Sequence, residues 1–216
     1  MNEVEIIHDE HGLVIVNKPS GLAVHNGEVN LIDLLEAELD ERLKPVNRLD
    51  QETSGLIVLA RGASAAASLQ RSLALPESQK YYLAVTRGQP KSAQGEWRFP
   101  ISPKSEGRKN PSGKRQDRVE VHTGFEVLTQ NKWLALIRCR LFTGRQHQIR
   151  KHACLAGCHL VGDRRYGDPK HARMIAQRYR FEGLALHSAH LLLSYEGERF
   201  EFEAPIPAAW SCFGLT

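Results

Sequence analysis

The apolar residues of this chain come in short runs, such as "LVIV" at 13–16 and "GLIVLA" at 55–60, each closed by glycine, proline or a polar turn. Runs of that length make buried strands and are far too short to cross a bilayer. Pro19 and Gly21 stop the first and open a loop. Leu31, Leu34, Leu35 and Leu39 then recur at helical spacing behind an Asn30 cap, with Asp33 in the favourable first turn. "SAAASLQRSLAL" is helical as far as Pro76, and "KYYLAVTRG" alternates as a strand to Gly88. "RVEVHTGFEVL" and "KWLALIRCRLF" read as an antiparallel hairpin joined by "TQN". "TGRQHQIRKHACLAG" switches to a helical period: Thr143 and Gln146 carry a capping-box signature, and Ile149, Ala153 and Ala156 form a packing stripe that ends at Gly157. His147, Arg150 and Lys151 share an adjoining face of that helix. Asp168 caps and Pro169 opens a last helix, "PKHARMIAQRYR", before the strands "LALHSAHLLLSY" and "ERFEFEAP". Hairpin-like strands with scattered helices and no βαβ repetition predict an α+β fold with a mixed, largely antiparallel sheet.

A chain of 216 residues suffices for one large domain or two closely joined halves, and any boundary between halves is expected near the basic loop at 104–118. The start, "MNEVEIIHDEHG", is acidic and has neither a basic leader nor a long apolar stretch, so a cytoplasmic protein without a membrane partner is expected. Cys139, Cys154, Cys158 and Cys212 lack the spacing of a disulfide framework and read as free thiols. Cys154 and Cys158 lie between His152 and His159, but without a paired C-x-x-C, and no metal is expected. The net charge of +4 is mild, yet its distribution is uneven. Residues 104–118, "KSEGRKNPSGKRQDR", hold six basic and two acidic residues, a surplus equal to that of the whole chain. Such a segment is either a solvated flexible loop or an arm that contacts phosphates.

Asp50 is harder to explain as scaffold. In "PVNRLDQETSGLIVLARG", residues 45–62, it follows Arg48 by two positions and precedes a Thr-Ser-Gly turn and an apolar strand. Alone, it would read as a loop carboxylate accepting backbone hydrogen bonds, Tyr82 as a strand core residue and Arg150 as a surface helix residue. Their company alters this. "NKPSG" at 17–21, "RLDQETSG" at 48–55, "KYYLA" at 80–84, "GRQHQIRKH" at 144–152 and "VGDRRYG" at 161–167 follow one another across most of the chain. In that order they resemble the motifs of the RluA-type pseudouridine synthases, which turn uridine in RNA into its carbon-linked isomer. The resemblance implies the catalytic fold of that family over 1–216 with no separate N-terminal RNA-binding domain. It also implies Asp50 as nucleophile, Tyr82, at the tyrosine of the family's K-x-Y-x-A pattern, beside the reacting base, Arg150 as the basic partner of Asp50, and Arg48 filling the gap left by an extruded nucleotide.

These residue types suit an isomerisation. A carboxylate acts as a nucleophile only when ionised, and a paired guanidinium favours that form and fixes its direction. A tyrosine offers a flat surface for the uracil and a phenol near the proton that leaves ring carbon 5. No redox change occurs and no group is imported, so no cofactor is expected. Flipping a uridine out of structured RNA costs a few kcal/mol, which contacts to phosphates must offset. The expected contacts are Arg108, Lys109, Lys114 and Arg115 of the arm, with Arg145, His147 and Lys151, although Lys151 reads equally as a solvated helix residue. The expected partner is a stem-loop of ribosomal or transfer RNA, met by a monomer. Two other readings stand beside this one: an RNA-binding or RNA-folding module without catalysis, and a carboxylate-dependent nucleoside or glycoside hydrolase, for which a second acid near Asp50 is wanting. One residue departs from the family's habit, Asn47 standing where histidine most often precedes R-L-D.

Overall fold

The computed structural model describes residues 4–215; Met1–Glu3, which open the acidic start, and Thr216 lie outside the described residues. The chain forms two compact units, Met1–Lys80 with His187–Pro205, and Tyr81–Leu186 with Ile206–Thr216. The division therefore falls inside strands and away from the basic loop, because the chain leaves the first unit and later returns to complete it. A return of that kind produces no shift in composition by which a boundary could be recognised.

In the first unit, β1 (Glu5–Glu10), β2 (Leu13–Lys18) and β4 (Ser54–Arg61) are antiparallel neighbours, and β3 (Leu43–Pro45) pairs with β4. β9 (Leu186–Tyr195) runs parallel to β4 through Ser54 and Gly55, and β10 (Glu198–Glu203) pairs antiparallel with β9. Gly55 sits at φ 102, and a Cβ there would collide with the Ser188 carbonyl, so only glycine admits this approach. α1 (Leu31–Leu39) starts as its sequence predicts, with Asn30 accepting from the Asp33 amide. α2 (Ala63–Ala74) presents Ala66, Leu69 and Leu73 to Leu13, Ile15, Leu56 and Val58 of the sheet, forming the core.

In the second unit, β5 (Gln79–Arg87), β8 (Leu134–Leu141), β7 (Thr123–Gln130) and β6 (Gln94–Trp97) lie side by side in that order. β7 and β8 form the expected antiparallel hairpin, although its turn begins at Asn131, two residues later than "TQN" suggests. α3 (Gln148–Leu155) packs against β7, and α4 (Pro169–Tyr179) buries Ile175 in a core with Val85, Leu134, Leu136, Trp210 and Phe213. Asp168 caps α4 by accepting from the Lys170 amide, as expected. The capping box predicted for α3 does not form: the helix begins five residues after Thr143, whose hydroxyl bonds the Gln148 side chain. All four cysteines are free thiols. Among the described residues no helix is long and apolar enough to cross a membrane.

Candidate active site

Asp50 lies half-buried in a loop stitched to the "NKPSG" turn of the same unit. Gly21 N donates to Gln51 O at 2.9 Å, the Gln51 amide returns a bond to Gly21 O at 2.9 Å, and Ser20 Oγ donates to Glu52 O at 2.7 Å. At the centre is Lys18, fully buried, whose ammonium donates to the carbonyls of Pro19 (2.9 Å), Leu22 (2.8 Å) and Gln51 (3.1 Å). Desolvation lowers its pKa to about 8, and the charge of Asp50 works in the other direction. Lys18 is thus a pin beneath the Asp50 loop; RNA cannot reach it as placed. The Thr53 amide closes a turn onto Asp50 O at 3.0 Å. Ser54 Oγ lies 2.9 Å from His187 Nδ1, and His187 Nε2 lies 3.3 Å from Ala204 O. Asn47 braces the adjoining strand end, because its side-chain oxygen accepts from Val58 N at 2.9 Å while Val46 N donates to Val58 O. Arg48 is exposed beside the loop, where a nucleic acid can reach it.

Tyr82 and Arg150 belong to the second unit. Tyr82 is 7 % exposed on β5, and Tyr81 on the opposite face lies under Arg138, 5.8 Å from ring to guanidinium. Arg150 is 2 % exposed and gripped by Asp163, Nε to Oδ2 at 2.9 Å and Nη2 to Oδ1 at 2.8 Å. Asp163 Oδ1 also accepts from the amides of Arg165 (2.9 Å) and Tyr166 (3.0 Å). Burial opposes the charged form of Asp163, but the Arg150 hydrogen bonds and charge, with those amides, hold its pKa below the usual carboxylate value. The buried ring of Tyr166 lies 5.5 Å from the guanidinium, and its hydroxyl is 2.8 Å from His147 Nδ1. Asp163 therefore occupies the Nε–Nη2 edge of Arg150 with Tyr166 beside it, which fixes the orientation of the guanidinium.

The sequence alone assigns no role to Asp163 and Tyr166 within "VGDRRYG". The available signal is an aspartate bracketed by Gly162 and Gly167 in an otherwise basic stretch. α3 spends its remaining polar side chains on anchorage. Gln148 accepts from the Arg145 amide (3.1 Å) and donates to His122 O (3.0 Å) and Thr123 Oγ1 (2.9 Å). His152 bridges Thr123 Oγ1 (3.0 Å) and Phe99 O (3.1 Å). Lys151 differs from both expectations: it is fully buried, and its ammonium donates to the carbonyls of Ser102 (2.7 Å) and Lys104 (2.6 Å). A cation sealed at the root of the basic arm cannot reach a phosphate. His147 is half-buried against Tyr166, and Arg145 is exposed.

The arm itself is folded. Ser102 N bonds Ser112 O, the Arg118 guanidinium bonds Gly113 O, Arg165 donates to the carbonyls of Ser105 and Glu106, and a short 3-10 helix spans Arg115–Asp117. Lys109, Lys114 and Arg115 remain exposed and form no ion pair among the described residues, whereas Arg108 lies 3.5 Å from Asp168. Among the described residues one group has the donor types and spacing for a metal ion, the partly exposed His190, Glu201 and Glu203, far in sequence from every motif above.

Residues 12–154, well over half of the chain, match the family model described as RNA pseudouridylate synthase. The chain belongs to the RNA pseudouridylate synthase family. Ribosomal large subunit pseudouridine synthase D of Zymomonas mobilis is 34% identical over 94% of this chain and 69% of its own length. Ribosomal large subunit pseudouridine synthase C of Escherichia coli is 36% identical over 93% of this chain and 66% of its own. The chain thus spans about two thirds of these relatives. The solved structure of human RNA Pseudouridylate Synthase Domain Containing 4 matches with a TM-score of 0.80 and 25% identity, covering 98% of this chain and 94% of that one. Human RNA Pseudouridylate Synthase Domain Containing 1, at 22% identity and a TM-score of 0.80, shares the fold. The RluA-type resemblance and the α+β, mainly antiparallel architecture both stand.

Proposed function

We propose that this chain isomerises uridine to pseudouridine in structured RNA, as one catalytic domain over 1–216. Asp50 is the nucleophile, either adding to the base and leaving it again before product release, or assisting the base's departure as an electrophilic ribose is formed. The bond between C1′ and N1 breaks, the held uracil turns, and C1′ bonds to ring carbon 5. The proton on carbon 5 then leaves and N1 regains one, so atoms and electrons balance within the substrate. Tyr82 offers the stacking surface and a phenol for that proton, and Arg150 has the role of basic partner that the family resemblance implies. Arg48 fills the gap left by the flipped nucleotide, and Arg145, Arg108, Lys109, Lys114 and Arg115 contact phosphates of the RNA. Both relatives named above are ribosomal, so large-subunit ribosomal RNA is the first substrate to test, with transfer RNA beside it. The enzyme works as a cytoplasmic monomer and needs no cofactor.

The observation that carries this reading is the Asp50 loop. Asp50 is half-buried in it, and Lys18, Ser20, Gln51 and the Ser54–His187 pair tie down the surrounding backbone. Such rigidity is what a nucleophile needs in order to meet a flipped base in a productive geometry. The test is Asp50→Asn: pseudouridine formation in single-turnover reactions on ribosomal RNA transcripts should vanish while the Kd for RNA stays within about threefold, a margin well below one tenfold step of 1.4 kcal/mol. Turnover by that variant, or release of free uracil by the native chain, would remove the assignment.

A further inference from the structure

α4, which follows the last of the family motifs, has no part in the site above. Residues 164–180, "RRYGDPKHARMIAQRYR", hold six Lys and Arg against one acidic residue. Together with 104–118 they account for twelve of the 29 basic and three of the 25 acidic residues, leaving 17 basic and 22 acidic elsewhere. The positive charge of a mildly basic chain is thus concentrated in two segments of the second unit. α4 sorts its residues by face. Ile175 is buried, whereas Lys170, Arg173, Met174, Gln177 and Arg178, at helical spacing, are exposed along one stripe. None of the stripe's three cations forms an ion pair among the described residues, and none has an acidic neighbour one turn away on α4. Lys170 and Arg173 repel at i, i+3, and Lys170 sits at the helix end where a cation is unfavourable. The one acidic residue, Asp168, accepts the cap hydrogen bond and is shared among the charges of Arg108, Arg87 and Lys170. Arg165 donates to the arm carbonyls of Ser105 and Glu106, so the two basic segments are tied together.

We propose that the exposed face of α4, continuous with the folded arm, is a docking surface for the RNA phosphate backbone, lying outside the residues that handle the target uridine. This rests on the reading of the chain as an RNA-modifying enzyme and adds where the flanking RNA is held. A helix that carries an excess of like charge is less stable alone, and a polyanion laid along its face relieves the repulsion. With a rise of 1.5 Å per residue, the cations from Lys170 to Arg178 span roughly 12 Å, enough to follow one stretch of strand.

The test compares K170Q/R173Q/R178Q with K44Q/R71Q/R199Q, which removes the same charge from exposed positions of the first unit. Binding of both to a large-subunit ribosomal RNA transcript is measured across a salt series. The α4 variant should bind about tenfold or more weakly, with the slope of log K against log salt reduced by roughly 2 to 3; the first-unit variant should match the native chain. Equal losses in both variants would reduce the effect to net charge and overturn the proposal, as would no loss in either. Vesicles containing anionic phosphatidylserine are the third arm: loss of vesicle binding by the α4 variant with RNA binding intact would assign the surface to a membrane instead. Pseudouridine formation by the native chain is scored separately, so a failure of the enzymatic reading is distinguishable from a failure of this surface.

Discussion

At the scale of single residues, what decides this site is which buried charges have partners. Lys18, Lys151, Arg150 and Asp163 are all essentially sealed from solvent, and each is surrounded by donors or acceptors that make its burial tolerable. Lys18 and Lys151 do so through backbone carbonyls, which turns each ammonium into a rivet for a loop: the Asp50 loop in one case, the root of the basic arm in the other. Arg150 and Asp163 satisfy one another. Removing one member of such a pair leaves the other charged in a dry setting, so Asp163→Ala should lower stability by about 3–5 kcal/mol in urea unfolding. Pseudouridine formation should fall with it even at temperatures where the variant remains folded, because Arg150 loses the partner that aims it. An Asp163→Ala chain with native stability and native turnover would show that the fork has neither role.

At the scale of elements, α3 is a fastener. His147 reaches Tyr166, Gln148 and His152 reach β7, Arg150 reaches Asp163, and Lys151 reaches the arm, so nearly every polar position of "HQIRKH" is used within the fold. This gives the helix a pH dependence. Desolvation lowers His152 to about 4, against 6.5 in an unfolded chain. Between those values the unfolded chain binds a proton that the native chain refuses, so stability is full above 6.5 and declines as the pH falls towards 4. At 1.36 kcal/mol per unit the decline amounts to about 3 kcal/mol. Urea midpoints at pH 7 and pH 4.5 should therefore separate much more for the native chain than for His152→Gln, and equal separations would refute the assignment.

At the scale of the whole molecule, charge is the property that a single residue cannot report. The net value of +4 hides an arm and a helix that are strongly positive and a remainder that is negative. Replacing Lys109, Lys114 and Arg115 of the arm by glutamine should lower the slope of log K against log salt by roughly 2 to 3 for ribosomal RNA, at about 0.7 to 0.9 per phosphate contact. A slope equal to that of the native chain would return the arm to the status of a solvated loop. What the amino-acid order determined by itself was local. The Asn30 and Asp168 caps, the β7–β8 hairpin, the Gly88 and Gly157 stops and the ordered family motifs all depend on residues near one another in the chain, where propensity and side-chain reach suffice. Only the tertiary structure decided that Lys18 and Lys151 face inward, that Thr143 serves Gln148 and not a helix start, that Asp163 takes one edge of Arg150, and that the closing strands return to the first unit. The reason is that a lysine or an aspartate has the same local preferences whether it meets water or a carbonyl. Which of the two it meets depends on segments tens of residues away, and no short-range pattern records their arrival.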